Sequence, residues 1–180
     1  MLYLTVGATG FLSVILYDLA QIRGMRGAAS ILSSIGYLCI LASIVFLMIT
    51  VHPRTIALEF LIVKGFLTSV FLILLIYSVG FEIPIALRRG GVKGATERRV
   101  VATGFYGMVR HPGFVWFALL WASIIFLYQD AVVAAVGIAL VVIDFVLIVL
   151  EDLVFFPRIF CDYEEYKHRV PFLVPRMKRR

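Results

Sequence analysis

FVWFALLWASIIFLYQDAVVAAVGIALVVIDFVLIVL, residues 114–150, decides the fold. It is two apolar runs, 114–129 and 131–150, parted only by Gln129-Asp130 and carrying one further charge at Asp144. A helix needs roughly 20 apolar residues to cross a bilayer. Lipid offers backbone N–H and C=O groups no partner, so such runs form helices, whose hydrogen bonds stay within the segment. Two runs so closely joined predict a tight helical hairpin.

Working outward, three more apolar blocks precede the hairpin, at about 3–20, 28–51 and 56–80. The chain is 62% hydrophobic and 16% charged. Soluble domains run nearer about 45–50% and 25%, so an ordinary soluble fold is excluded. The expectation is an all-α polytopic membrane helix bundle with about five transmembrane helices, a cytoplasmic pocket and a C-terminal amphipathic helix. It forms a single membrane domain over 1–180, with three N-terminal helices in 1–81 and the functional core in 82–175.

Charge placement predicts the orientation. Arg23 and Arg26 follow the first block, and Arg88, Arg89, Lys93, Arg98, Arg99 and Arg110 follow the third. Seven more Lys/Arg residues follow the fifth, whereas the second is followed only by Arg54 and the fourth by none. That alternation puts the N-terminus outside a cell membrane and the C-terminus in the cytoplasm. The net charge of +6 is then mostly a topology signal on the loops of a bundle, and a nucleic-acid surface fits it poorly. The first block lacks a basic leader and a small-residue cleavage site, so it reads as a retained helix. Cys39 and Cys161 are poorly placed to pair, and three scattered histidines give no metal spacing.

Polar residues inside the blocks are few. Asp18 and Tyr17 lie near the cytoplasmic end of the first, where Asp18 reaches the interface or pairs with Arg23. Glu59 and Lys64 lie near the outer end of the third, where a long side chain snorkels cheaply. Pro84, Gly90-Gly91 and Gly94 punctuate the largest connection, 82–112. Pro112 suits a first helical turn, which would aim free N–H groups and the positive end of a helix dipole at the cytoplasmic face. Glu151 to Val170 reads as an amphipathic interfacial helix ended by Pro171 and Pro175, with Arg176, Lys178, Arg179 and Arg180 against anionic lipid.

The cytoplasmic mouth therefore gathers Arg110, His111, Tyr106, the N-terminus of the fourth helix, Asp144 and Glu151. Asp144 and Glu151 are seven positions apart, two helical turns, and share a face. Carboxylates can accept from hydroxyl or amino groups while Arg or free N–H groups hold a carboxylate, so the set suits a cationic or zwitterionic small molecule. No Ser/His/Asp arrangement, Gly-rich phosphate loop or metal motif is present, which favours chemistry carried by a cofactor.

Val101-x-Thr103-Gly104-x-Tyr106-x-x-x-Arg110-His111-Pro112-x-Phe114 resembles the Val-x-x-Gly-x-Tyr and Arg-His-Pro signature of the isoprenylcysteine carboxyl methyltransferases. Related phospholipid N-methyltransferases share the pattern. Glu151-Asp152, Tyr163, Tyr166 and Val170-Pro171 keep the spacing of that family's acidic pair, Tyr-x-x-Tyr and Val-Pro. The resemblance spans roughly residues 90–175. It implies an integral-membrane methyltransferase that uses S-adenosylmethionine and acts on a lipid or other lipophilic acceptor. By position it implies donor contacts from Arg98, Arg99, Val100, Val101, Tyr106, His111, Pro112, Gly113, Phe114 and Glu151. Arg110 and Glu151 would carry function, and Asp144, Leu147, Tyr163 and Tyr166 would face the acceptor.

The departures from the family pattern are specific. Phe114 stands for a Tyr, Trp116 for a Gly, and Ile159-Phe160 for a Phe-Gly. Leu147 replaces an Arg that meets the acceptor carboxylate in the prenylcysteine enzymes, which argues for a neutral or amine-bearing acceptor here. The alternatives are an NADPH-dependent membrane reductase of the sterol-reductase type and a non-catalytic membrane subunit that kept the fold.

Overall fold

The computed structural model describes residues 1–52, 58–82, 98–100 and 102–175, and among them every regular element is helical. Helix α1 (Leu2–Ile22) turns directly into α2 (Arg26–Thr50), and α3 (Leu58–Ile76) closes with a π-helical turn, Tyr77–Glu82. A 3-10 turn, Gly104–Gly107, then precedes α4 (Pro112–Tyr128) and α5 (Ala131–Leu150). A second π-helical turn, Glu151–Phe155, leads into the short α6 (Phe156–Ile159), and α7 (Tyr163–Arg169) follows. Arg54, Pro84, Arg88, Arg89, Gly90, Gly91, Lys93, Gly94, Val101, Arg176, Lys178, Arg179 and Arg180 lie outside the described residues, and so does the side chain of Glu59.

Small residues let the first two helices touch. A Cβ on Gly10 would sit 2.8 Å from the Gly36 carbonyl oxygen, and one on Gly36 would sit 3.0 Å from that of Gly10. Only glycine permits this backbone-to-backbone approach, the usual route to tight helix association in lipid. Two hydroxyls stitch the same seam: Ser13 Oγ donates to Leu32 O at 2.8 Å and Ser43 Oγ to Tyr3 O at 2.6 Å.

The α4–α5 hairpin is as tight as the sequence implies. Gln129 turns the chain in the left-handed region (φ 49°), and the Asp130 carboxylate caps α5 by accepting from Val132 N and Val133 N. Trp121 fills the hairpin interior against Gly137, where a Cβ would lie 2.5 Å from the indole. Around it pack Leu47, Leu120, Ile124, Val133 and Leu140, which centres the core on α4 and α5 with α1 and α2 alongside.

Leu38, Ile62, Phe66, Phe126, Ile138 and Val146 point outward. Exposed apolar side chains on this scale suit lipid, not water. Four helical stretches are long and apolar enough to cross a bilayer: Leu2–Ile22, Arg26–Thr50, Leu61–Gly80 and Ala131–Ile159. The chain is therefore a multi-pass membrane protein. Helix α4 is apolar too, but at 17 residues it is shorter than these four.

Two expectations are corrected. The chain does not run as one amphipathic helix from Glu151 to Val170. Instead α5 continues through its π-helical turn to Ile159, breaks at 160–162 and restarts as α7. Pro157 supplies a physical reason, since a plain α-helix there would lose a hydrogen bond and clash with the preceding turn; the wider π turn sits just before it. Lys64 does not snorkel: it is buried, with Nζ 4.1 Å from the centre of the Phe126 ring.

Candidate functional site

Pro112 opens α4, as its fixed φ favours, and His111 occupies the preceding cap position with no side-chain cap bond to the helix. The imidazole instead faces the turn after α5. Its Nδ1 lies 3.5 Å from Glu151 Oε2 and its Nε2 lies 3.5 Å from Asp152 Oδ1. The ring stacks on Phe156 and meets Phe172 edge-on. Burial opposes the imidazolium, but the carboxylates of Asp152 and Glu151 on either side of the ring outweigh it, so the His111 pKa is raised above its ordinary value.

Asp152 is the hub. Arg110 Nη1 donates to its Oδ1 at 2.5 Å, and Tyr163 Oη donates to the same oxygen at 2.7 Å. Both members of the ion pair are nearly sealed, and the guanidinium also lies over the Phe172 ring. Arg110 N donates to Pro171 O, which ties the Arg-His-Pro segment to the Val-Pro segment. Burial and the bond to Asp152 push the Tyr163 phenol well above its ordinary pKa, so it stays a neutral donor.

The π-helical turn separates two neighbouring carboxylates by role. Asp152 points into this network, whereas Glu151 forms an ion-pair contact only with His111 among the described residues. Asp144, one helical stretch earlier, is within electrostatic reach of Glu151 and His111. Asp18 joins the same neighbourhood: it is 2% exposed, one carboxyl oxygen has no hydrogen-bond partner among the described residues, and it lies within electrostatic reach of Glu151. It is buried and, among the described residues, forms no ion pair with Arg23, which corrects the expectation that it reaches the interface or pairs with that arginine.

The other expected site residues fall into two groups. Gly113 and Phe114 stand in the first turn of α4, with the Phe114 ring against Phe145. A cavity of about 200 Å³ opens beside the Arg110–Asp152 pair, lined also by Val149, Leu153 and Phe172. Away from it, Tyr166 is buried and donates to Tyr106 O at 2.7 Å, clamping the 3-10 turn. Val100 donates its N–H to Asp162 and packs on the cluster of Tyr163, Tyr166 and Val170. Arg98 and Arg99 are exposed, and Arg98 bonds Gln21 rather than any residue of the His111 cluster. Leu147 is buried in the bundle core, so it lines no open acceptor surface.

Tyr163 and Tyr166 therefore hold structure in place, each 2% exposed. Trp116 packs edge-on against Phe105, which packs in turn on Tyr77, so this departure joins α4 to the end of α3. Phe156 and Phe172 were not legible as site residues: nothing in their spacing separates them from the chain's other phenylalanines, 15 in all. Asp162 could have been found, as a cap-type residue just before a helical run. No family model, curated protein or solved structure matches the chain.

Proposed function

We propose that this protein is a membrane methyltransferase that uses S-adenosylmethionine and acts on a lipophilic acceptor entering from the bilayer. The observation that carries the reading is the Arg110–Asp152 ion pair, with His111 between Glu151 and Asp152. It joins the two stretches on which the methyltransferase resemblance rests, from positions 42 apart in sequence. Glu151 keeps acceptor capacity for hydroxyl or ammonium hydrogens, and the first turn of α4 offers N–H groups to a carboxylate. These residues fit the cofactor's polar groups. When bound, S-adenosylmethionine supplies an electrophilic methyl group; the protein's part is to align the acceptor and exclude water.

The acceptor is neutral or amine-bearing. Asp18 and Asp144 lie within electrostatic reach of Glu151, and the guanidinium of Arg110 is committed to Asp152. An anionic acceptor beside Glu151 would find the Arg110 guanidinium already paired and would meet an uncompensated desolvation cost. In this reading α4 is a fifth span, the N-terminus lies outside the cell membrane, and the Arg110 end faces the cytoplasm.

The cavity of about 200 Å³ favours a second reading, a non-catalytic membrane subunit. Small-molecule sites usually measure roughly 300–1,000 Å³. A thermal-shift titration of detergent-solubilised protein with S-adenosylhomocysteine and NADPH separates the readings. A specific ligand at about 100 times its Kd adds about 2.7 kcal/mol of stability. Stabilisation by S-adenosylhomocysteine alone is expected; stabilisation by NADPH alone would make the protein a reductase, and none by either would favour the subunit.

A further inference from the structure

Three arginines from separate parts of the chain converge on one cleft. Arg26 opens α2, Arg98 lies in the segment 98–100, and Arg158 sits in α6; with Gln21 they line a cavity of about 360 Å³. Among the described residues no Asp or Glu lines it and none of the three guanidiniums is ion-paired. Arg98 is fixed across the cleft by its bond to Gln21 Oε1, and its carbonyl accepts from Cys161 N at 3.0 Å. Ile22 and Phe160 supply an apolar wall.

The position matters as much as the composition. The spans Leu2–Ile22 and Ala131–Ile159 end here, and Arg26–Thr50 begins here. The cleft therefore lies where helices leave the hydrocarbon, at headgroup level. Arginines that serve only to orient a membrane protein repel one another and gain by spreading over the surface. Three that share a cleft with no carboxylate among its described lining residues call for another counter-charge to hold them together. Guanidinium forks match the paired oxygens of a phosphate.

We propose that this cleft binds a phosphate group, held by Arg26, Arg98 and Arg158. The phosphate belongs to an anionic phospholipid headgroup or is free in solution; the chemistry at the arginines is shared. None of Arg110, His111, Glu151 and Asp152 lines the cleft, so the proposal does not depend on the methyltransferase reading.

The test uses the full chain in detergent, followed by native mass spectrometry with dioctanoyl phosphatidic acid, dioctanoylglycerol and inorganic phosphate as separate probes. Saturable binding of phosphatidic acid but not dioctanoylglycerol is expected. Binding of inorganic phosphate as well would assign the site to free phosphate, and its failure to bind would assign the lipid. The double variant Arg26→Gln/Arg158→Gln should lose about tenfold or more in affinity. Arg158→Lys keeps the charge but loses the fork, and should fall between it and the parent, which serves as the test if the double variant fails to fold. Arg23→Gln removes an exposed arginine outside the cleft and should change nothing. Equal losses in Arg23→Gln, equal binding of dioctanoylglycerol, or no binding of either phosphate-bearing probe would overturn the site.

Discussion

The guanidinium of Arg110 lies 2.5 Å from the carboxylate of Asp152, and the hydroxyl of Tyr163 reaches the same carboxylate oxygen. Asp152 is thereby consumed by structure while its neighbour Glu151 is not. Removing one member of a buried ion pair strands the other and typically costs about 3–5 kcal/mol. Asp152→Asn is expected to lose stability on that scale, measured by denaturant unfolding in detergent. Glu151→Gln should cost about 1 kcal/mol or less, yet weaken S-adenosylhomocysteine about tenfold or more, the loss of a charge-assisted hydrogen bond. Equal destabilisation by the two substitutions would erase the division of labour.

His111 predicts a pH dependence. Its pKa is raised in the folded protein because Asp152 and Glu151 outweigh burial. A raised pKa means that the folded state binds the proton more tightly than the unfolded chain does. The stabilisation is therefore fully present below the unfolded value of about 6.5 and is lost as pH climbs through the folded value. Melting temperature should fall as pH rises from about 6 upward, and His111→Ala should flatten that part of the curve. A melting temperature that rises over the same window in the parent would reverse the sign and refute the assignment.

The α1–α2 contact gives one substitution two outcomes. Gly10→Ala drives a methyl to 2.8 Å from the Gly36 carbonyl oxygen and 2.7 Å from Ile40. Backbone cannot rotate away, so a cost at or above the usual overpacking range of about 1–3 kcal/mol is expected. Gly27→Ala, in the first turn of α2, meets nothing within 4 Å. It should be neutral or stabilise by up to about 1 kcal/mol through helix propensity. Comparable losses at the two positions, read by thermal unfolding, would mean that α1 and α2 do not cross at Gly10 and Gly36.

Much of this architecture is legible in the chain, and the reasons differ by level. Apolar length alone marks the spans, because lipid permits little but helix. Gln129-Asp130 and Pro112 mark their ends through local turn and cap chemistry, and the structure places them accordingly. The π-helical turn at Glu151 is not legible, since it answers Pro157 several residues downstream and leaves no period of its own. The sequence singles out Arg110 and Glu151 separately without naming a partner for either, and the geometry pairs Arg110 with Asp152. Tyr163 and Tyr166 read equally well as acceptor contacts or interfacial aromatics; their burial and their hydrogen bonds to Asp152 and Tyr106 O depend on tertiary packing that their spacing does not reveal. Asp18 reads as an interfacial residue by position along α1, and its true surroundings depend on how α1 packs against the turn after α5.

The proposed orientation can be tested with a cysteine the chain already has. Cys161 is exposed just beyond α6, and Cys39 is half-buried within α2. With Cys39→Ser as background, Cys161 reports one end of the bundle, while Cys161→Ser with Gln129→Cys reports the α4–α5 turn, where Gln129 is exposed. The two lie at opposite ends of the stretch Ala131–Ile159, which is 29 residues long and more than sufficient to cross a bilayer. If Arg98, Arg110 and the C-terminal segment face the cytoplasm, a membrane-impermeant maleimide added to intact cells should modify Gln129→Cys readily. It should modify Cys161 only after the membrane is permeabilised. The reverse pattern would invert the topology and move the His111–Glu151 site to the outer face, away from any cytoplasmic supply of S-adenosylmethionine. Equal labelling of both positions in intact cells would mean that this helix does not cross the membrane, and the methyltransferase reading would lose the geometry on which it rests.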